Sequence, residues 1–200
     1  YNMLSINFYY RLRYLINKKS NHKVIFSFIL DRLTHPLKKS KKKYLRNLHL
    51  DYLKSKNIND EELIVTEKSG KIKLINIINN SVSEISHNLN FLEYGQGGLL
   101  DILYNDNYIY ISYTENRNNF KTSTSIARAV LNKKRLEFEN IFQANPPIDS
   151  PYHFGSRLAI KGDHLFASAG ERGEGMIAQD VKKHPGSIIR INLDGSIPKD

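Results

Sequence analysis

The chain has 200 residues, enough for one domain with a real core, and its 40% hydrophobic and 25% charged content is that of a globular chain and does not demand disorder throughout. With no cysteine, it can carry no disulfide framework, no thiol chemistry and no Cys-based zinc site. The formal net charge of +10 is not spread evenly: residues 1–59 hold 14 Lys or Arg against Asp31 and Asp51, and the rest is slightly acidic.

Residues 1–59 therefore read as a basic leader. The densest run, Lys38-Lys39-Ser40-Lys41-Lys42-Lys43, has the composition of a nucleic-acid arm or a membrane-surface segment, yet equally that of a solvated stretch. The solvated reading is preferred, and no nucleic-acid partner is expected. Val24–Leu30 is the longest apolar run, and its seven residues fall far short of the ~20 that a spanning helix needs. Lys18, Lys19 and Lys23 precede it as in a secretory signal, but only Asp31-Arg32-Leu33 follows, without small residues for cleavage. No stable membrane insertion is expected. A start at Tyr1 and an end at Asp200, just after a turn-like Gly195-Ser196, read as the ends of a fragment.

From Glu62 onward short β-rich runs alternate with turn signals. Leu63–Thr66 and Ile72–Ile77 flank Lys68-Ser69-Gly70-Lys71 and predict a hairpin. Tyr108–Tyr113 is rich in aromatic and β-branched residues, as a strand should be. Ser125–Leu131 alternates in part, His164–Ala169 runs into Gly170, and Ser187–Asn192 runs into Asp194-Gly195. No segment keeps a helical period for long. The pattern predicts an all-β sandwich, barrel or propeller, and periodicity alone does not choose among them.

Three motifs go further. They are Gly95-Gln96-Gly97-Gly98-Leu99-Leu100-Asp101-Ile102; Tyr152-His153-Phe154-Gly155-Ser156-Arg157-Leu158 with Gly162-Asp163-His164 and Gly170-Glu171-Arg172-Gly173; and Ala178-Gln179-Asp180 with Gly186–Asn192 and Asp194–Pro198. In order and spacing they resemble the glucose/sorbosone dehydrogenase family, in particular its soluble aldose sugar dehydrogenases that use pyrroloquinoline quinone. Thr124–Arg128 also resembles a strand of that family. The resemblance covers residues 60–200, and each motif alone would be weak. It implies a six-bladed β-propeller in the parent family, here an incomplete propeller of about two to three blades. One departure is clear: the family opens its first blade on a Pro-Trp pair, and this chain has no tryptophan. Leu48–Lys54 stands in that place without resembling it, as a foreign upstream segment or an altered reading frame would produce.

The resemblance also implies chemistry. Oxidising a sugar at its anomeric carbon removes a hydroxyl proton and a hydride from one C–OH unit, so a base must reach the hydroxyl. His153 stands where the family places that base. Gln96 is implied to contact cofactor or substrate, a role for which an amide that both donates and accepts is suited. Glu171 falls where relatives carry an acidic residue near the substrate, placed to orient His153 or a sugar hydroxyl; for Glu171 and Arg172 a solvated turn is the competing reading. Arg157 is expected to be structural, pairing with a carboxylate beneath its loop, and His164 and His184 are read as surface residues. The implied cofactors are pyrroloquinoline quinone and calcium, with most of their ligands beyond Asp200, so this chain alone is expected to be inactive. The implied partners are a sugar substrate and an electron acceptor, and the implied compartment is periplasmic or secreted. Two other classes stay open, a propeller lactone hydrolase and a non-catalytic binding propeller.

Overall fold

Twelve strands run through the residues described by the computed structural model, which are 48–49, 61–76 and 78–199 and all belong to the compact unit Asn47–Asp200. The basic run at Lys38–Lys43 and the apolar run at Val24–Leu30 lie outside the described residues. The strands form three sheets.

In the first sheet β2 (Glu62–Glu67) and β3 (Lys71–Asn76) make the hairpin predicted around Ser69-Gly70, paired in register from Glu62↔Asn76 to Glu67↔Lys71. Gly70 takes φ +101°, a conformation that favours glycine. β4 (Val82–His87) adds antiparallel to β3, and β8 (Arg135–Leu136) adds parallel to β4. On the other edge β1 (Leu48–His49) pairs with β2, so a short strand stands there without a tryptophan.

The second sheet is a four-stranded antiparallel meander: β5 (Leu99–Asn105), β6 (Tyr108–Asn116), β7 (Thr122–Val130) and β9 (Glu139–Gln143). The third has three strands, β10 (Gly155–Lys161), β11 (His164–Ala169) and β12 (Ile188–Asn192). The only helical element among the described residues is one 3-10 turn at Gly175–Gln179. Four strands per sheet, the usual propeller blade, is thus met only in the middle one.

The pattern of burial explains the stacking. Along β6, Ile109, Ile111 and Tyr113 face a core shared with Ile64, Ile72 and Ile85 of the first sheet. The alternate residue Tyr110 joins Ile126 in a second core with Leu158, Leu165 and Ile191 of the third sheet. A strand that is buried on both faces loses the polar alternation of a half-buried one, and Tyr108–Tyr113 is accordingly almost all apolar. β11 keeps that alternation: Leu165, Ala167 and Ala169 are buried, while His164, Phe166 and Ser168 between them are partly exposed.

β7 changes character along its length. Ile126, Ala127 and Ala129 fill the cores, whereas Thr122, Ser123, Thr124 and Ser125 are equally buried but polar. Buried hydroxyls need partners, and those at this end grip neighbouring backbone. Thr124 Oγ1 donates to Phe154 O at 2.8 Å, and Ser112 Oγ on β6 donates to Ser156 O at 2.6 Å. Bulges in β5 between Leu99 and Ile102 and in β10 between Gly155 and Leu158 fall at the same end. Bulges re-aim side chains, and here Asp101 of one bulge reaches Arg157 Nη1 at 2.8 Å and Leu158 N at 2.8 Å in the other. The Arg157 pairing expected from the sequence is met by this ion pair.

Candidate active site

The end of the sheets that carries the hydroxyl contacts also carries the loops with Gln96, His153 and Glu171. The loop 95–98 leads into β5, the loop 150–154 leads into β10, and Glu171 follows β11, the strand paired with β10. Two glycines bring the loops together. A Cβ on Gly95, at φ +57°, would lie 2.3 Å from Pro151 O, and one on Gly170 would lie 1.8 Å from His153 O. Both positions exclude any side chain because backbone occupies the space.

Gln96 and His153 meet directly. Gln96 N–H donates to Pro151 O at 2.8 Å, and His153 N–H donates to Gln96 Oε1 at 2.9 Å. The amide oxygen of Gln96 therefore accepts from the loop, and its NH2 group, on an exposed side chain, has no hydrogen-bond partner among the described residues. His153 sits at φ +51°, in the left-handed region that non-glycine residues seldom occupy. Such strain persists where the surroundings over-determine it, commonly at functional sites.

The imidazole is itself oriented. His153 Nδ1 hydrogen-bonds to Glu171 Oε1, and Gly173 N–H donates to the same oxygen at 3.1 Å. The hydrogen bond from His153, with help from backbone N–H groups, holds the Glu171 carboxyl below its usual range. An ionised carboxylate can only accept, so the proton of the neutral ring belongs on Nδ1 and the lone pair on Nε2. Nε2 has no hydrogen-bond partner among the described residues, and the side chain is 54% exposed. Tyr152, also exposed, lies beside the ring with a centroid separation of 6.1 Å. All three residues singled out from the sequence thus converge on one spot.

One reading left open by the sequence is removed, and one expectation is corrected. Arg172 is not a solvated turn residue: it is 2% exposed, and its guanidinium donates to Tyr152 O, Ser150 O, Thr122 O and Thr122 Oγ1 beneath the His153 loop. His184 is not a free surface histidine. It is half-buried, its Nδ1 accepts from Asn145 N–H at 2.9 Å, and its ring meets Phe142 edge-on at 5.1 Å. His164 is partly exposed at the start of β11, near its surface assignment. Nothing in the periodicity marks Arg172 or Asp101, since their partners come from other loops. The hydroxyl-rich run Thr122–Ser125 is the sequence feature that points to this end of the sheets.

Among the described residues there is no group of three or more His, Cys, Asp or Glu that could hold a metal ion, and no helix is long and apolar enough to cross a membrane.

Fold and cluster together define the class: three blades of a β-propeller, an incomplete ring, with an imidazole–carboxylate pair at the strand ends. The family model for Glucose / Sorbosone dehydrogenase matches residues 53–200, and the chain belongs to that family. It is 33% identical to the aldose sugar dehydrogenase YliI of Escherichia coli (strain K12) over 116 residues, 54% of this chain and 31% of that protein. It is 28% identical over 165 residues to the uncharacterized protein slr1608 of Synechocystis, covering 70% of this chain and 40% of that one. Among solved structures, a glucose dehydrogenase superposes with TM-score 0.70 at 28% identity, covering 77% of this chain and 51% of its own. The soluble aldose sugar dehydrogenase of Escherichia coli in the apo-form gives TM-score 0.69 at 26% identity, covering 77% and 47%. The PQQ-bound form of an aldose sugar dehydrogenase from Streptomyces coelicolor shares the fold, with TM-score 0.61 at 24% identity over 69% of this chain and 43% of that one. The chain spans about a third to two-fifths of the length of these curated relatives.

Proposed function

We propose that the whole protein oxidises the anomeric C–OH of an aldose with hydride transfer to pyrroloquinoline quinone, and that His153 is the general base. The observation that carries this reading is the oriented imidazole, with Nδ1 held by Glu171 and Nε2 free at an exposed mouth. Family membership supports the reaction class.

The donor set fits part of such a ligand. The free NH2 of Gln96 can donate to a quinone or sugar oxygen, and Nε2 can accept from a hydroxyl. When bound, the quinone supplies the acceptor for the hydride. The residues of this chain do the rest. A sugar hydroxyl donates to Nε2 and gives up its proton there as the hydride leaves the same carbon, and the resulting imidazolium is stabilised by the Glu171 carboxylate. Gln96 holds the backbone of His153, so ring and amide keep a fixed separation. We place calcium and the remaining quinone contacts outside the described residues, and the whole protein in the periplasm or outside the cell, with an electron acceptor as its second partner. We propose a basic leader at residues 1–59 and the first part of the propeller domain at residues 60–200, with the family match beginning a little earlier, at residue 53.

The test is His153→Asn in the full-length enzyme, assayed by steady-state aldose oxidation with a dye acceptor while quinone is titrated separately. Removing a general base lowers the rate by about 10²–10⁴-fold, and quinone affinity should change little. A nearly intact rate, or outright loss of quinone binding, overturns the assignment.

A further inference from the structure

Among the described residues, Arg172 is a buried cation without an ion pair. It is 2% exposed, and among the described residues only carbonyls, a hydroxyl and an aromatic face meet its guanidinium. Burial drags its pKa down to about 10, which still leaves it charged at neutral pH. A buried charge is a poor way to gain stability, because an apolar side chain of similar volume often serves as well or better. The particular contacts of this guanidinium therefore call for an explanation.

Those contacts surround His153. Nε donates to Tyr152 O at 3.0 Å, the carbonyl immediately before His153. Cζ lies 3.6 Å from the ring centroid of Phe154, the residue immediately after it. Nη2 donates to Ser150 O in the same loop and to Thr122 Oγ1 at 2.8 Å, and Nη1 donates to Thr122 O at 3.1 Å on β7. The guanidinium thus ties the loop of the base to the second sheet. Arg172 is itself at φ +61°. From neighbouring positions, Glu171 reaches the imidazole of His153 and Arg172 reaches the backbone beneath it.

We propose that Arg172 is a positioning residue for His153, forming with Glu171 a two-residue clamp in which the carboxylate fixes the imidazole tautomer and the guanidinium fixes the strained backbone that carries the ring. The need for a clamp follows from φ +51° at His153. Phe154 O is held by Thr124 Oγ1 at 2.8 Å and Gly170 N at 3.1 Å, and His153 N–H is held by Gln96. Without Arg172, Ser150 O and Tyr152 O lose this donor, and the peptide before His153 keeps only the hold of Gln96 on its N–H against a turn toward a relaxed φ. The ring then leaves the line set by Glu171. The catalytic half of this inference rests on the base role assigned to His153; the structural half does not.

The experiment uses full-length protein carrying Arg172→Lys, Arg172→Met or Thr122→Val, with His153→Asn alongside. Lysine keeps the charge but offers a point donor in place of a planar fork. Thr122→Val removes one acceptor of the fork and leaves the cation in place, so it decides the matter if both arginine variants fail to fold. The first readout needs no cofactor: ¹⁵N NMR of His153 with labelled histidine. The wild type should show the Nδ1–H tautomer with a protected Nδ1 proton, whereas Arg172→Lys should show mixed tautomers and a rapidly exchanging proton although Glu171 is intact. The second is kcat per quinone-loaded site, measured well below each variant's Tm. It should fall about 10–100-fold for Arg172→Lys, the scale expected for misplacing a reacting group by about an ångström, with KM and quinone Kd within about 3-fold. Thr122→Val should move both readouts in the same direction by less. A wild-type tautomer and a wild-type kcat in Arg172→Lys, whatever its Tm, would leave Arg172 a stabilising residue only and sink the clamp. If His153→Asn keeps its rate, the base assignment falls, and the NMR readout still decides whether Arg172 orients the ring.

Discussion

Replacing Asp101 by Ala tests whether the second and third sheets are joined by a buried carboxylate. Asp101 is buried and accepts from Leu158 N–H at 2.8 Å, from Arg157 Nη1 at 2.8 Å and from the adjacent Ile102 N–H at 3.1 Å. The two losses across the sheets differ in size. Leu158 is 5% exposed, so its N–H would be left without a partner, at about 1–3 kcal/mol. The Arg157 side chain is 65% exposed and can turn to water, so that ion pair contributes only ~0–1 kcal/mol. Through the two contacts across the sheets, Asp101→Ala should therefore destabilise the chain by about 1–4 kcal/mol, a Tm decrease of roughly 2–16 °C at this size. Asp101→Asn keeps a neutral acceptor for Leu158 N–H and should lose ~1 kcal/mol or less. Urea unfolding followed by circular dichroism gives both values from the midpoint at constant m. A loss below about 0.5 kcal/mol for Asp101→Ala would refute this accounting. Equal losses for Ala and Asn would show that the charge, and not the satisfied N–H, is what matters.

Other outcomes follow from the same geometry. In Gly170→Ala the new Cβ meets His153 O at 1.8 Å, so the loop must shift. Thermal melts should report ~1–3 kcal/mol of overpacking, and the His153 amide should move in ¹⁵N–¹H spectra; an unmoved amide would contradict the close approach. Glu171 should titrate below an ordinary glutamate, because His153 stabilises its ionised form. Its folded value being the lower one, the contact's stabilisation is present above the unfolded range and is lost as pH falls through the folded value. Carboxyl ¹³C shifts followed against pH give the midpoint, and one at or above that of a free glutamate would rule out the pairing.

The sequence by itself determined the strand content, because the alternation of β-rich runs and turn residues is local. The hairpin around Ser69-Gly70 and the strand His164–Ala169 lie where composition put them. The ordered motifs also determined the family and the membership of Gln96, His153 and Glu171 in one cluster, since each motif names a loop and the family fixes which loops meet. Tertiary structure decided the rest. That β6 is buried on both faces follows from its place in the middle sheet, and a run such as Tyr108–Tyr113 reads the same in a sandwich or a barrel. For Arg172, in Gly170-Glu171-Arg172-Gly173, a solvated turn stays open as a reading until Thr122, Ser150 and Tyr152 are seen around it, partners up to 50 positions away. Asp101 finds Arg157 and Leu158 only because two bulges face each other across the sheets. Burial and hydrogen-bond partnership depend on chain segments far apart in sequence, so local pattern cannot report them, and at this site they decide which charged residues are buried and bonded and which stay exposed.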